Sequence, residues 1–284
     1  MLTHSDVLLI STNMANSRFG YVREFEEHDR LIPSTFSVVR IDGHSFHRFS
    51  DIHNFRKPND SRALECMNDA AQFVMQQLHD VILAFGESDE YSFLLRPQSH
   101  IYDRRKAKIV TQVVSAFSSA FMYNWSRHFS IPLAYPPIFD GRIITYPLTI
   151  HVRDYFAWRQ VDTHINNLYN TCFWAIVQQG KKTEREAHNL LKGTVSSQKH
   201  DILFKDYGIN YNQLNEMYKK GSVLVRDPPS LPQVPSDGAY KEKKRIEKIR
   251  KDGIDGTRGD IQTLHVDIIK DVFWNERPWL LAQQ

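Results

Sequence analysis

The chain has 284 residues, with 36 Lys and Arg against 33 Asp and Glu, a net charge of +3. Apolar residues make up 41% and charged residues 24%, which excludes a wholly disordered chain; a chain of this length can bury roughly 75% of its unfolded surface. Two cysteines, Cys66 and Cys172, are too few for a disulfide scaffold and point to a reducing compartment, and no apolar run approaches the roughly 20 residues of a membrane helix.

Residues 1–13 hold one short apolar run, Val7 to Ile10, and no Lys or Arg. That argues against a secretory signal and gives little support for a transit peptide. The expected location is cytoplasmic or nuclear, with mitochondria left open. The segment reads as an N-terminal extension before a folded part, with Met14 an alternative start. Thr35 to Ile41 is β-branched and aromatic, the pattern of a buried strand, and it stops at Asp42-Gly43. Pro58-Asn59-Asp60 then opens a helix with Asp60 as N-cap, and Leu64, Met67, Ala71, Val74 and Leu78 make its apolar face. Val81 to Phe85 and Tyr91 to Leu95 are two further strands, joined by the acidic hairpin Gly86 to Glu90. A second helix carries Ile109, Val113, Phe117, Ala120 and Trp125, and Gly141 to Tyr146 fits a fourth strand. The order β-α-β-β-α-β predicts an α+β fold: a split βαβ antiparallel sheet with both helices on one face.

The expected division is a catalytic domain over 14–150 and a mainly helical C-terminal region over 151–284. In the latter, Val152 to Gln179, Glu184 to Lys192 and Asn212 to Lys219 read as helices, the last ended by Gly221. Four prolines between Asp227 and Gly238 mark a loop, and Lys241 to Lys251 is strongly basic. This loop near 228–259 is either solvated or a phosphate contact.

Asp42 ends the first strand and Asp89 sits in the hairpin between the second and third. In a split βαβ sheet these elements are neighbours, so the two carboxylates converge on one edge. Paired carboxylates beside a backbone carbonyl are hard oxygen donors that suit Mg²⁺. Two such ions would clamp the attacking and leaving oxygens of a phosphoryl transfer. The plainer alternative is an ordinary Asp-Gly turn and a solvated hairpin. His44, His47 and His53 lie nearby, but no second ligand set accompanies them at zinc-finger spacing. Lys57 to Arg62 joins a lysine to a helix N-terminus, which is either an anion site or simple capping by Asn59 and Asp60. There is no phosphate-loop sequence, and no strand precedes Gly253-x-x-Gly256-x-x-Gly259. His164 to Asn170 interleaves polar and apolar residues on a helix, which a core helix with satisfied polar groups also explains. Arg104, Arg105 and Lys106 cluster at a helix start, where positive charge is unfavourable and an anionic partner is suspected.

Six strings are distinctive together: Val38 to Phe49, Lys57 to Leu64, Gly86 to Phe93, Tyr135 to Arg142, Trp158 to Asn170 and Asp267 to Ile269. From about Met14 to the C-terminus the chain resembles the tRNA-His guanylyltransferase family. The resemblance implies a polymerase-palm-like catalytic domain that adds one guanosine to the 5′ end of tRNA-His. ATP adenylylates the tRNA 5′-phosphate, the GTP 3′-hydroxyl displaces AMP, and pyrophosphate is then removed. Carried over by motif, Asp42 and Asp89 bind two Mg²⁺ ions with the Gly43 carbonyl, and Glu90 joins the catalytic acidic motif. His47, Lys57, Asn59, Asp60 and Ser88 match nucleotide-binding positions. His164, Asn167 and Lys192 match positions for tRNA handling or activity, to which the basic pair Arg104 and Arg105 is added. The implied partners are tRNA-His, ATP and GTP, with a homotetramer and no membrane. Two other classes share these carboxylates or this fold: a conventional palm polymerase or cyclase, and a tRNA-binding protein without activity, against which the intact Asp42 and Asp89 argue.

Overall fold

The computed structural model describes residues 17–27, 29–226 and 256–282. The extension 1–13 and the basic run 241–251 lie outside the described residues. Six strands form one antiparallel sheet: β1 (Phe36–Gly43), β2 (Val81–Glu87), β3 (Glu90–Leu95), β4 (Phe139–Tyr146), β5 (Ser222–Arg226) and β6 (Ile261–Leu264). Their order is β4-β1-β3-β2-β5-β6. The first four have the order expected of the split βαβ arrangement.

The central strands are apolar on both sides because both faces of the sheet are covered. Val39 and Ile41 of β1 point into one core with Tyr91, Phe93 and Leu95 of β3. This core is closed by α2 (Ser61–Gln77) and α3 (Lys106–His128), through Val74, Met75, Val113 and Phe117. Between β1 and α2 the sequence pattern predicts no element. The structure places α1 (Phe46–Ile52) there, with Phe49 buried among Phe121, Trp125 and Phe55.

Phe36 and Val38 point the other way, with Leu83, Phe85 and Leu94. That face is covered by the first turns of α4 (Thr149–Gln178), through Val152 and Phe156, and by the C-terminal segment with Ile268, Phe273, Trp274 and Leu280. A third cluster joins the second half of α4 to α5 (Glu184–Leu191) and to Leu203 and Tyr211. Two short helices follow, α6 (Ser196–Asp201) and α7 (Glu216–Lys220), and α8 (Asp271–Asn275) lies near the end.

The C-terminal region is mainly helical among its described residues, as expected, and it also supplies two strands that the sequence does not predict, β5 and β6. Val223 to Val225 is too short an apolar run to be read as a strand from periodicity. It is one because β2 offers a free edge, where Leu83 pairs with Val225 and Phe85 with Val223. Gly221 sets this entry. At φ 73° a Cβ there would lie 2.5 Å from the Gly86 carbonyl oxygen, so only glycine passes so close to β2.

Arg104 is also corrected. Its side chain is buried and donates to the carbonyls of Leu31, Ile32, Thr35, Pro97 and Ser99 at 2.6–3.4 Å. It ties the segment ahead of β1 to the turn ahead of α3 and has no face left for RNA. Arg105 and Lys106 are exposed. Arg104→Met leaves these carbonyls unpaired and is expected to cost about 2–4 kcal/mol in urea unfolding. A loss under about 1 kcal/mol together with weakened tRNA binding would return Arg104 to the RNA interface.

Candidate active site

Asp42 lies at the carboxyl end of β1, with Glu90 opposite on β3 and Asp140 opposite on β4. The β2–β3 hairpin closes in two residues, Ser88 and Asp89, with Ser88 in the left-handed region at φ 49°. The Gly43 amide donates to the Asp89 carbonyl at 3.1 Å, fastening the hairpin tip to the end of β1. Glycine is required at 43: a Cβ would meet the Phe46 ring at 2.4 Å and Asp89 Cβ at 3.1 Å. Burial lifts the Asp89 carboxyl above its ordinary range; the Ser88 hydroxyl, donating at 3.0 Å, opposes this, and the Asp42 charge adds to it. Two carboxylates held this way attract a cation.

A single guanidinium balances the next carboxylates. Arg159, from α4, is buried and bonds Glu87 at 2.5 Å and Asp162 at 2.8 Å, and its Nε lies 2.8 Å from Glu90. Burial opposes its charge, but Glu90 and Glu87 outweigh that and hold it protonated. Burial pushes the Glu90 carboxyl up to about 7, with Arg159 restraining it. Burial likewise raises Glu87.

These groups occupy one end of a cavity of about 720 Å³. Its wall continues through Lys57 and Asn59, ahead of α2, and along α4 through Thr163 and Asn167 to Trp174. Lys57 Nζ pairs with Asp51 at 3.0 Å and with Ser50 Oγ at 3.0 Å. Asn59 donates to Asn167 at 2.9 Å, and Asn167 donates to the Tyr211 hydroxyl at 2.9 Å. Tyr211 in turn lies 3.4 Å from His164 Nδ1.

The sequence and fold have solved and curated counterparts. The tRNAHis guanylyltransferase family model matches residues 19–147, and the Thg1 C terminal domain model matches residues 150–270. A tRNA(His) guanylyltransferase of Debaryomyces hansenii is 49% identical over 94% of this chain and 100% of its own length. Its Schizosaccharomyces pombe counterpart is 48% identical over 94% of this chain and 98% of its own length. The chain belongs to the tRNA(His) guanylyltransferase family. The crystal structure of the Saccharomyces cerevisiae tRNA(His) guanylyltransferase superposes with a TM-score of 0.71 at 47% identity, covering 73% of this chain and 93% of that one. A bacterial guanylyltransferase-like protein in complex with ATP, 23% identical, shares the fold with a TM-score of 0.62 over 73% of this chain and 86% of its own.

As a nucleotidyltransferase of this family, the chain brings most of its expected residues into one cavity. Asp42, Ser88, Asp89 and Glu90 line its acidic end. His47, Lys57, Asn59 and Asn167 line the remainder. Asp60 borders it too, but both its oxygens are engaged, by the Arg56 and Arg62 amides and the Arg62 guanidinium. Asp60 therefore caps α2, and its assignment to nucleotide binding is corrected. Lys192 and Arg105 are exposed and away from the cavity lining. One of the three histidines weighed for zinc, His53, is already engaged at both ring nitrogens. His53 donates from Nδ1 to Phe49 and accepts the Ala134 amide at Nε2, and among the described residues no three His, Cys, Asp or Glu groups could hold a metal. Asp42, Asp89 and the Gly43 carbonyl are oxygen donors that fit Mg²⁺, which keeps waters and takes phosphate oxygens for its other positions. Arg159 and Trp174 were not singled out as site residues in the sequence. Arg159 carries no local signal, because Gln160 and Asp162 share its turn and an ordinary exposed i,i+3 pair with Asp162 explains it equally well in the sequence.

His164 provides a pH test. Burial, then the charges of His200 and Lys219, pull its imidazole below the ordinary 6.5. Above that value His164 is neutral folded and unfolded. Below it the unfolded chain takes the proton first, so stability falls as pH drops. His164→Gln is expected to flatten the decline in melting temperature between about pH 7.5 and about pH 5. An unchanged decline would show that other groups carry it.

Proposed function

We propose that the chain adds a single guanosine to the 5′ end of tRNA-His in three steps. ATP adenylylates the 5′-monophosphate, the 3′-hydroxyl of GTP attacks that phosphate and displaces AMP, and pyrophosphate is removed from the added nucleotide. The observation that carries this reading is the convergence of Asp42 and Asp89 at one end of a cavity otherwise walled by Lys57, Asn59 and α4. A tRNA 5′-phosphate is a poor electrophile, because oxide would have to leave. Adenylylation replaces that leaving group with AMP.

Asp42, Asp89 and the Gly43 carbonyl would hold two Mg²⁺ ions. When bound, these supply charge stabilisation at the phosphate oxygens and lower the pKa of the attacking hydroxyl. Arg159 holds Glu87 and Glu90, so the hairpin that carries Asp89 keeps its place despite the neighbouring carboxylates of Asp42, Glu87 and Glu90. Lys57 offers a point charge for a leaving pyrophosphate, and Asp51 fixes the direction of its side chain. The Ser88 hydroxyl and the exposed His47 ring stand at the cavity wall to meet further phosphate oxygens. Exposed Arg105, Lys106 and Lys192 provide backbone-phosphate contacts for tRNA. A homotetramer is part of the proposal. The segment Gly20–Phe25 exposes Tyr21, Val22 and Phe25, an apolar surface that a second copy would cover.

The test is incubation with labelled 5′-phosphorylated tRNA-His, ATP, GTP and Mg²⁺, followed by identification of the 5′ nucleotide. Asp42→Ala and Asp89→Ala are each expected to lower guanosine addition by at least about 1000-fold while leaving tRNA affinity nearly unchanged. Retained turnover at saturating Mg²⁺ would remove their ligand role. Lys57→Ala is expected to slow single-turnover adenylylation by about 100-fold, because the charge it meets develops in that step. Substrate already bearing a 5′-triphosphate carries its own leaving group, so the same variant should recover most guanylyl transfer on it. An equal defect on both substrates would move Lys57 out of the activation step.

A further inference from the structure

The cavity face of α4 changes character along its length. It begins at Arg159, which grips the acidic hairpin, and reaches Trp174 about 22 Å further on. Asn166, Asn170 and Trp174 stand on successive turns of this face, about 6 Å apart, and all three line the cavity.

None of these three side chains is committed to the scaffold by a hydrogen bond or by membership of an apolar cluster among the described residues. Asn167 spends its carboxamide on Asn59 and Tyr211. The Asn166 and Asn170 carboxamides are exposed and make no hydrogen bond to any described residue. Trp174 is half-buried, yet it belongs to none of the three apolar clusters, not even the third, which includes its helix neighbours Cys172, Ala175 and Ile176. Its indole has the Phe173 ring edge-on at 5.3 Å and Lys57 Nζ 5.6 Å from its centroid.

We propose that Trp174, flanked by Asn166 and Asn170, is a nucleobase-stacking site at the end of the cavity remote from the Asp42–Asp89 pair. An indole offers the flat π surface on which any base stacks. A carboxamide carries both donors and an acceptor, which suits the mixed edge of a base. Lys57, beside the ring, supplies a counter-charge for the phosphates of the same nucleotide. The inference rests on the nucleotidyl-transfer reading for its ligand. The base belongs either to free ATP or GTP, or to a terminal nucleotide of tRNA.

Binding of ATP, of GTP and of 5′-phosphorylated tRNA-His is measured separately for the wild type, Trp174→Leu and Trp174→Phe, with circular dichroism as a check on folding. Leucine removes the π surface and is expected to weaken the stacking ligand by about 5- to 150-fold. Phenylalanine restores a ring and recovers part of that loss. Weakened ATP or GTP binding assigns the site to the free nucleotide, and weakening confined to tRNA assigns it to the RNA end. Unchanged affinity for every ligand, or an equal loss with Leu and Phe, overturns the site. If Trp174→Leu does not fold, quenching of tryptophan fluorescence by the same ligands decides: quenching absent from Trp174→Phe supports the site, and undiminished quenching overturns it. Guanosine addition by the wild type is assayed alongside. Its absence with stacking intact sinks the transfer chemistry alone, and normal addition with no Trp174 effect sinks the base site alone.

Discussion

Four acidic side chains, Asp42, Glu87, Asp89 and Glu90, crowd one edge of the sheet, and the arrangement depends on the buried guanidinium of Arg159. Without a cation the hairpin carboxylates would repel one another and the tip carrying Asp89 would splay. Arg159 reaches them from α4, so the contact that steadies the hairpin also docks the helix that walls the cavity. Arg40, on β1, adds a weaker approach to Glu90 at 3.7 Å. Desolvating such a network costs about as much as its attractions return. Its physical consequence is placement: it fixes the direction of α4 relative to the end of β1.

The opposite wall of the cavity is held by neutral hydrogen bonds. Asn59, Asn167, Tyr211 and His164 form a chain that crosses from the start of α2 to α4 and on to the turn after α6. Each carboxamide is oriented by the next group, so the polar wall is set before any ligand arrives. Asn166 and Asn170, on the same helix, are outside this chain and remain open to the cavity. The contrast separates groups committed to the scaffold from groups available to a ligand.

Helix capping and anion binding compete for the same atoms at the start of α2. Asp60 resolves that competition in favour of the cap, since Arg62 and two backbone amides saturate its carboxylate. Lys57 and Asn59, just ahead of the cap, keep their side chains on the cavity. Arg104 shows the same logic: a basic residue in a basic cluster became a clamp for five carbonyls, while its neighbour Arg105 stayed in solvent.

Local pattern carried much of the fold. The β-branched run of β1, the apolar spacing of α2 and α3, and the Asp60 cap were readable because each is decided within a few residues by backbone preference and periodicity. The juxtaposition of Asp42 with Asp89 followed from strand order, and the resemblance of the Trp158–Asn170 string pointed to α4. Strands β5 and β6 were not readable, because five and four residues become strands only when a neighbouring edge is free to pair with them. The Arg159 network, the Arg104 clamp and the open indole of Trp174 were hidden for a related reason. A charged or aromatic side chain carries the same letter whether it is paired, packed or exposed, and burial is assigned by elements far apart in the chain. The sequence by itself determined the elements and the acidic pair; the tertiary structure decided which polar groups are spent on the scaffold, because only packing determines which of them lose water.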